Sequence, residues 1–240
     1  MIKETSSKMI SRKKIIKPSQ TGTGGPTDDI PKKLTPHDIF LRCIKRAQNL
    51  INFHTENDEQ ERGEQYGDAY RAAVVLSISA LDAFIKTIVT EKINEILSDS
   101  KKNLPDELSN YIKNLLNLDK LLDAARKYNI IEVVNQHIKE DFQTKSFQGG
   151  WKINAFMELG GYKDIFNEVS RSENVNKDNL IKDLNTYTQR RHVIAHNGDY
   201  DLNSTIQIEN KIDKKFTQDC VNFVTNFADH INIICYRNEK

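Results

Sequence analysis

The feature that most constrains this chain is one strongly apolar segment. Between Ala72 and Ile85, eleven of fourteen residues are apolar, and only Ser77, Ser79 and Asp82 interrupt them. The segment contains neither Gly nor Pro and continues as an amphipathic pattern, which favours a helix over a strand. A helix that is apolar on nearly all sides must be buried. The sequence therefore predicts a central core helix around which the rest of the chain packs.

The patterns around this segment also predict helices. Thr35-Pro36 is typical of a helix start, and apolar residues recur at helical spacing over about 177–196 and 212–236. Shorter helical patterns occupy about 100–172. Since convincing strand patterns are almost absent, we predict an all-α, up-and-down helical bundle over 35–240, with the short helices as an insertion.

Residues 1–34 differ from the rest of the chain in composition. The first 17 residues contain six Lys or Arg against a single Glu, and the stretch has few large apolar residues. We expect a flexible basic arm, either a solvated tail or a segment that follows a phosphate backbone. The whole chain has 35 Lys and Arg against 34 Asp and Glu, a net charge of +1. This excludes a globally basic nucleic-acid binder, so any such contact needs a local patch.

The cysteines and the hydropathy of the chain indicate in which cellular compartment the protein is expected. The three cysteines form no CxxC pair, and the N-terminus has no apolar stretch typical of a signal peptide. We therefore expect reduced thiols in a cytoplasmic protein. No uninterrupted apolar run approaches the ~18 residues of a membrane span, so we expect no membrane partner.

The segment Arg190 to Asn197 carries the residues most suited to chemistry. Arg191 lies in line with the apolar positions of its predicted helix, and an arginine on such a face needs a partner or an open cleft. The only acid in the apolar core segment is Asp82. One hypothesis is therefore that Asp82 orients Arg191 inside the bundle. On that hypothesis Arg191→Ala destabilises the protein.

Spacing constrains how Arg191 and His196 could act together. Five residues separate them, which corresponds to about 140° around an α-helix at ~100° per residue. They could converge if the chain bends at Asn197-Gly198, a helix-ending signal. They could also converge across a two-fold axis, where two such segments face each other.

A His and an Arg are a minimal set for cleaving RNA without a metal. A neutral imidazole, with an ordinary pKa of ~6.5, can take the proton from a ribose 2′-OH near neutral pH. A guanidinium can stabilise the charge on the phosphorane oxygens. Attack by the 2′ oxygen leaves a 2′,3′-cyclic phosphate and a 5′-hydroxyl end, and DNA lacks that nucleophile.

A long helix ending in this R-x4-H pattern, after a buried apolar helix with an embedded acid, resembles the HEPN superfamily and its R-x4-6-H motif. The resemblance covers most of 36–236 and is closest to HEPN domains of prokaryotic defence and toxin systems. It implies a metal-independent endoribonuclease without a cofactor, acting on RNA as a homodimer with a composite active site. It also implies a possible antitoxin or defence-system partner protein.

The resemblance assigns roles by motif position. Arg191 and His196 are the expected catalytic residues. His192 follows the Arg as an orienting or substrate-contacting group, and Arg190 is an extra base on the same segment. The supporting and substrate-binding residues are then His192, Arg190, Asn197 and Asp82.

Other interpretations of the segment remain open. His192 and His196 have the spacing of a two-His metal site, but only Asp199 or Asp201 offers a nearby third ligand, so we expect no metal. His196 could instead stabilise a helix C-terminus as a cation. The alternative function is a non-catalytic HEPN-like module that binds RNA or a nucleotide or mediates dimerisation.

Overall fold

The computed structural model divides the chain into two units, Met1–Lys33 and Leu34–Lys240. The expected basic arm lies almost entirely outside the residues that the structure describes. Those residues are 33–53, 63–101, 103–202, 205–206 and 208–237.

Within these ranges the second unit is built from helices, with no strand, and the all-α prediction is confirmed. Its elements, in chain order, are α1 (Pro36–Ile51), α2 (Gly63–Ser98), α3 (Asp106–Leu115), α4 (Leu118–Arg126), α5 (Ile130–Thr144), α6 (Gly150–Leu159), α7 (Ile165–Glu173), α8 (Lys177–Asn197) and α9 (Lys214–Tyr236).

The apolar segment forms the middle of α2, as predicted, and α2 is the central helix of the domain. It packs against α1, α9 and α8, and also against the short helices α5 and α6. Ile78, Ile85 and Ile88 are at most 1% exposed, because neighbours surround this helix on nearly every side. Burial of apolar side chains such as these is the dominant favourable term in folding.

By length and composition alone, one helix among the described residues, Tyr66–Ser98, could cross a membrane. Of its most apolar window, 56% is buried inside the domain. Core helices of this kind pass the same compositional test, so the finding is weak evidence for a membrane span.

In the sequence the short helices α3 to α7 lie between α2 and α8, and α6 contacts α8 closely. The backbone N–H of Gly150 donates to the side-chain oxygen of Asn185 at 2.9 Å. A Cβ atom on Gly150 would lie 2.9 Å from Ile181, so only glycine permits this approach of α6 to α8.

α8 packs against α2, α6, α7 and α9 and leaves one face open to solvent. Asn176 begins it by accepting hydrogen bonds from the backbone of Asp178 and Asn179. Of its 21 residues only Leu180 and Leu184 are buried, and they face the core. The helix therefore presents a long solvent-facing surface that ends at the candidate motif.

Candidate active site

The motif occupies the last turn of α8, where the chain reverses. Gly198 has φ +59 and its N–H donates to the carbonyl of Val193, which ends the helix as the sequence predicts. Asp199 follows with φ +68, a second left-handed residue. The chain then returns alongside itself, with an antiparallel bridge between Tyr200 and Glu209.

The two histidines of the motif are exposed and adjacent. His192 and His196 lie one helical turn apart, and their ring centroids are 4.5 Å from each other. Neither imidazole hydrogen-bonds any of the residues that the structure describes. Both rings are therefore accessible to a substrate from solvent.

Arg191 is half-buried, and its Nε atom is buried without a hydrogen-bond acceptor among the described residues. A buried donor without a partner is rare, since it costs about 1–3 kcal/mol of desolvation. The regular helix extends past His196 to Asn197. Arg191 and His196 therefore stay about 140° apart, and one chain alone does not bring them side by side.

The neighbouring arginine has a different environment. Arg190 donates from Nη2 to the Asp199 carboxylate at 2.7 Å and lies 3.1–3.2 Å from the backbone carbonyls of Asn210 and Lys211. Asp199 is 0% exposed. Arg190 is thus committed to a buried ion pair with the chain that follows the helix.

A second arginine, 128 residues earlier in the sequence than Asp199, binds the same carboxylate. Arg71, in the first half of α2, donates from Nε to the same Asp199 oxygen at 2.8 Å and from Nη2 to the Asn210 carbonyl at 3.1 Å. We call Arg71, Asp199 and Arg190 the arginine clamp. It joins α2, the end of α8 and the loop beyond it.

The pKa of Arg71 reflects both its burial and the acidic groups around it. Burial lowers this pKa, but the hydrogen bond to Asp199 and the charges of Glu209, Asp199 and Asp68 raise it above its ordinary value. The side chains of Glu209 and Asp68 are 44% and 80% exposed, so Asp199 is the buried partner. The negative charge of Asp199 therefore compensates both guanidinium groups for the hydration that they lose on burial.

A family model described as RiboL-PSP-HEPN matches residues 41–237. The chain belongs to this HEPN family. The match confirms the resemblance to the HEPN superfamily and indicates a nuclease-type, RNA-related function. No curated protein and no solved structure was found to match the chain.

In this HEPN domain Asp82 does not orient Arg191. One Asp82 oxygen accepts the backbone N–H of Phe147 at 2.7 Å, and the other pairs with Lys86 of the same helix at 2.8 Å. The hypothesis that Asp82 pairs with Arg191 is therefore wrong. The acid instead fixes the segment between α5 and α6 to the core helix, and its i+4 lysine supplies the balancing charge.

A cavity of about 410 Å³ opens beside the motif, between α8 and the chain that follows it. Arg190 and Asn197 line it, whereas His192, Arg191 and His196 do not. The predicted site residues therefore divide into four groups: Arg190 and Asn197 at the cavity, the two histidines on the open surface, Arg191 half-buried on α8 outside the cavity, and Asp82 elsewhere.

Sequence reasoning missed Arg71 as part of this region and considered Asp199 only as a possible metal ligand. Across the described ranges, no group of three or more His, Cys, Asp or Glu side chains is arranged to hold a metal ion. The sequence did contain one signal for Asp199, since an acid directly after Asn197-Gly198 sits where the helix-ending turn folds back.

Proposed function

We propose that this HEPN protein is a metal-independent endoribonuclease that cleaves RNA by attack of a ribose 2′-OH. The observation that carries the proposal is the contrast at the end of α8. Arg191 donates to no described residue and His196 has an exposed ring, while Arg190 is held by Asp199. A group that must contact a scissile phosphate needs free donors, and the terminal guanidinium nitrogens of Arg191, beyond its buried Nε, have no described acceptor.

In the proposed reaction, the imidazole of His196 removes the proton from the 2′-OH as the 2′ oxygen attacks phosphorus. The bond between phosphorus and the 5′ oxygen breaks, and the leaving oxygen takes a proton from water, which gives a 5′-hydroxyl end, while the protonated His196 later returns its proton to solvent. Arg191 donates to the non-bridging oxygens, where negative charge develops in the transition state. The products are a 2′,3′-cyclic phosphate and a 5′-hydroxyl.

The geometry of one chain supports a dimeric site for this reaction. Because Arg191 and His196 face directions about 140° apart, the two groups meet one phosphate most directly if two copies of α8 contribute to a shared cleft. The open surface of α8 leaves room for such an approach. We propose a homodimer with its two-fold axis near the motif.

We further propose a toxin or phage-defence effector that acts in the cytoplasm, restrained by an antitoxin or defence-system partner. All three cysteines are free, and two are buried, which fits a reducing compartment.

The test is cleavage of total RNA in excess EDTA by wild type, His196→Ala and Arg191→Ala, with analysis of the end groups. We expect wild type alone to cleave and to leave 2′,3′-cyclic phosphate ends. His137→Ala and Arg42→Ala are matched controls, because both residues lie away from α8, on α5 and α1, and both variants should cleave like wild type.

Undiminished cleavage by His196→Ala would contradict the assignment. RNA binding without cleavage by wild type, with an affinity that falls as salt rises, would indicate the non-catalytic module instead. Light scattering of the purified protein gives the oligomeric state, and a monomer that cleaves RNA would contradict the shared cleft.

A further inference from the structure

We propose that the cavity beside the motif is a nucleobase pocket, which binds one base of the RNA and sets a base preference at the cleavage site. The proposal rests on the proposed function but makes its own prediction, since a base pocket binds free nucleotides whether or not the protein cleaves RNA. The cavity's volume of about 410 Å³ is within the range of small-molecule sites.

The walls of the pocket suit a flat, partly apolar ring. Phe216, at the start of α9, and Tyr200, after α8, provide aromatic surface, and Val193 and Leu202 provide aliphatic surface. Phe216 is half-buried and fixed against Tyr187, with ring centroids 5.4 Å apart. Single-stranded bases are recognised by stacking on such side chains.

The pocket also has the hydrogen-bonding groups that the edge of a base requires. Three side-chain amides line it, from Gln189, Asn197 and Asn210. The amides of Gln189 and Asn197 bond no described residue, and Asn210 uses only its Nδ2, which donates to the Asp199 carbonyl at 2.7 Å. Amides offer a donor and an acceptor side by side, as the Watson–Crick edge of a base does.

The arginine clamp holds this pocket in shape. Arg190 lines the cavity and is fixed by Asp199, and Asn210 is tied to the same residue through its backbone N–H at 2.8 Å. The wall formed after α8 is therefore joined to the helix by buried, charged contacts. A preformed pocket loses less entropy when a ligand binds.

The pocket is close to the proposed chemistry. Val193 and Asn197 line it, and His196 lies between them in the sequence, on the adjacent side of the same helical turn. A base in the pocket would therefore belong to a nucleotide at or next to the scissile phosphate. A site in this position selects where the chain is cut as well as whether RNA binds.

Binding is tested with the four nucleoside 3′-monophosphates, each titrated calorimetrically into the full-length His196→Ala protein. We expect one base to bind more tightly than the other three. Thr186→Trp, which adds a bulky ring to the wall of the cavity, should weaken that binding at least about tenfold. Asn179→Trp is the matched control, because Asn179 is exposed on the same helix and lines neither this cavity nor the neighbouring one along α8, and it should bind like the parent.

Circular dichroism and melting establish that both tryptophan variants fold. The milder Gln189→Ala provides a second test in a variant expected to fold normally. In sequenced cleavage products it should flatten the base preference that wild type shows at the cut site.

Equal binding of all four nucleotides, or binding that Thr186→Trp leaves unchanged, would overturn the pocket even if wild type cleaves RNA. Selective binding that Thr186→Trp abolishes, in a protein that cleaves no RNA, would support the pocket while contradicting the nuclease proposal. The two proposals therefore fail separately.

Discussion

Neutralising the buried acid of the arginine clamp should destabilise the domain strongly. The change is Asp199→Asn, which keeps the shape of the side chain and tolerates the positive φ of this position. It removes one charge from between two guanidinium groups whose side chains are only 12% and 18% exposed. The effect of the substitution is therefore electrostatic.

The magnitude follows from the contacts of Asp199. Its carboxylate accepts two short hydrogen bonds, at 2.7 and 2.8 Å, from charged donors. Removing one partner of a buried ion pair costs about 3–5 kcal/mol, because the other charge is left buried without compensation. Since both arginines can still donate to the amide oxygen of Asn, the lower end applies, and the free energy of unfolding should fall by about 3 kcal/mol.

The largely exposed partners of Arg71 offset little of this loss, because each surface ion pair contributes about 0–1 kcal/mol. For a domain of this size, 3 kcal/mol corresponds to a decrease in Tm of about 6–12 °C. The assay is thermal and urea unfolding followed by circular dichroism. Asp123→Asn is the control, because it breaks an exposed i,i+4 pair with Lys127 on α4 and should change stability by less than about 0.5 kcal/mol. Equal Tm values for the two variants would refute the reasoning.

Three further predictions concern other side chains. Arg191→Ala should abolish cleavage without lowering the Tm, since no described residue accepts its Nε hydrogen and the substitution removes a buried donor that has no partner among the described residues. A large decrease in Tm would contradict this. Native-state alkylation at pH 8, followed by mass spectrometry, should modify Cys43 only, because Cys220 and Cys235 are buried and burial raises the pKa of the Cys220 thiol to about 12. Burial also raises the pKa of Glu173, against the opposing charge of His230 at 3.6 Å, so its charged form opposes folding above its ordinary pKa, and Glu173→Gln should stabilise the protein at pH 8. Urea unfolding as a function of pH should show this gain shrinking as the pH falls through the folded-state pKa, and a gain independent of pH would contradict the assignment.

The sequence predicted the helices that dominate the fold because their signals are local. The apolar run of α2, the apolar stripe of α9 and the Gly198 terminator of α8 each lie within a few turns of the chain. Hydrophobic periodicity and capping chemistry report on such short ranges.

The arginine clamp was missed for the opposite reason. Arg71 and Asp199 are 128 residues apart, and no periodic pattern encodes which acid meets which base over that distance. The wrong pairing of Asp82 with Arg191 has a related origin. The hypothesis gave Asp82 a distant partner, whereas Lys86, four residues along the same helix, supplies a local one.

Two consecutive arginines on one helix point about 100° apart, so they cannot perform the same task. In this domain Arg190 fixes the end of α8 to the chain that follows it, and Arg191 keeps a donor without a described acceptor. A nuclease site needs both properties, because a catalytic arginine is effective only where its helix is held still. Substitutions in the clamp should therefore change stability first and activity through it. Substitutions at Arg191 and His196 should change activity without destabilising the domain. This difference between the two sets of variants distinguishes an active site from a helix end that is only basic.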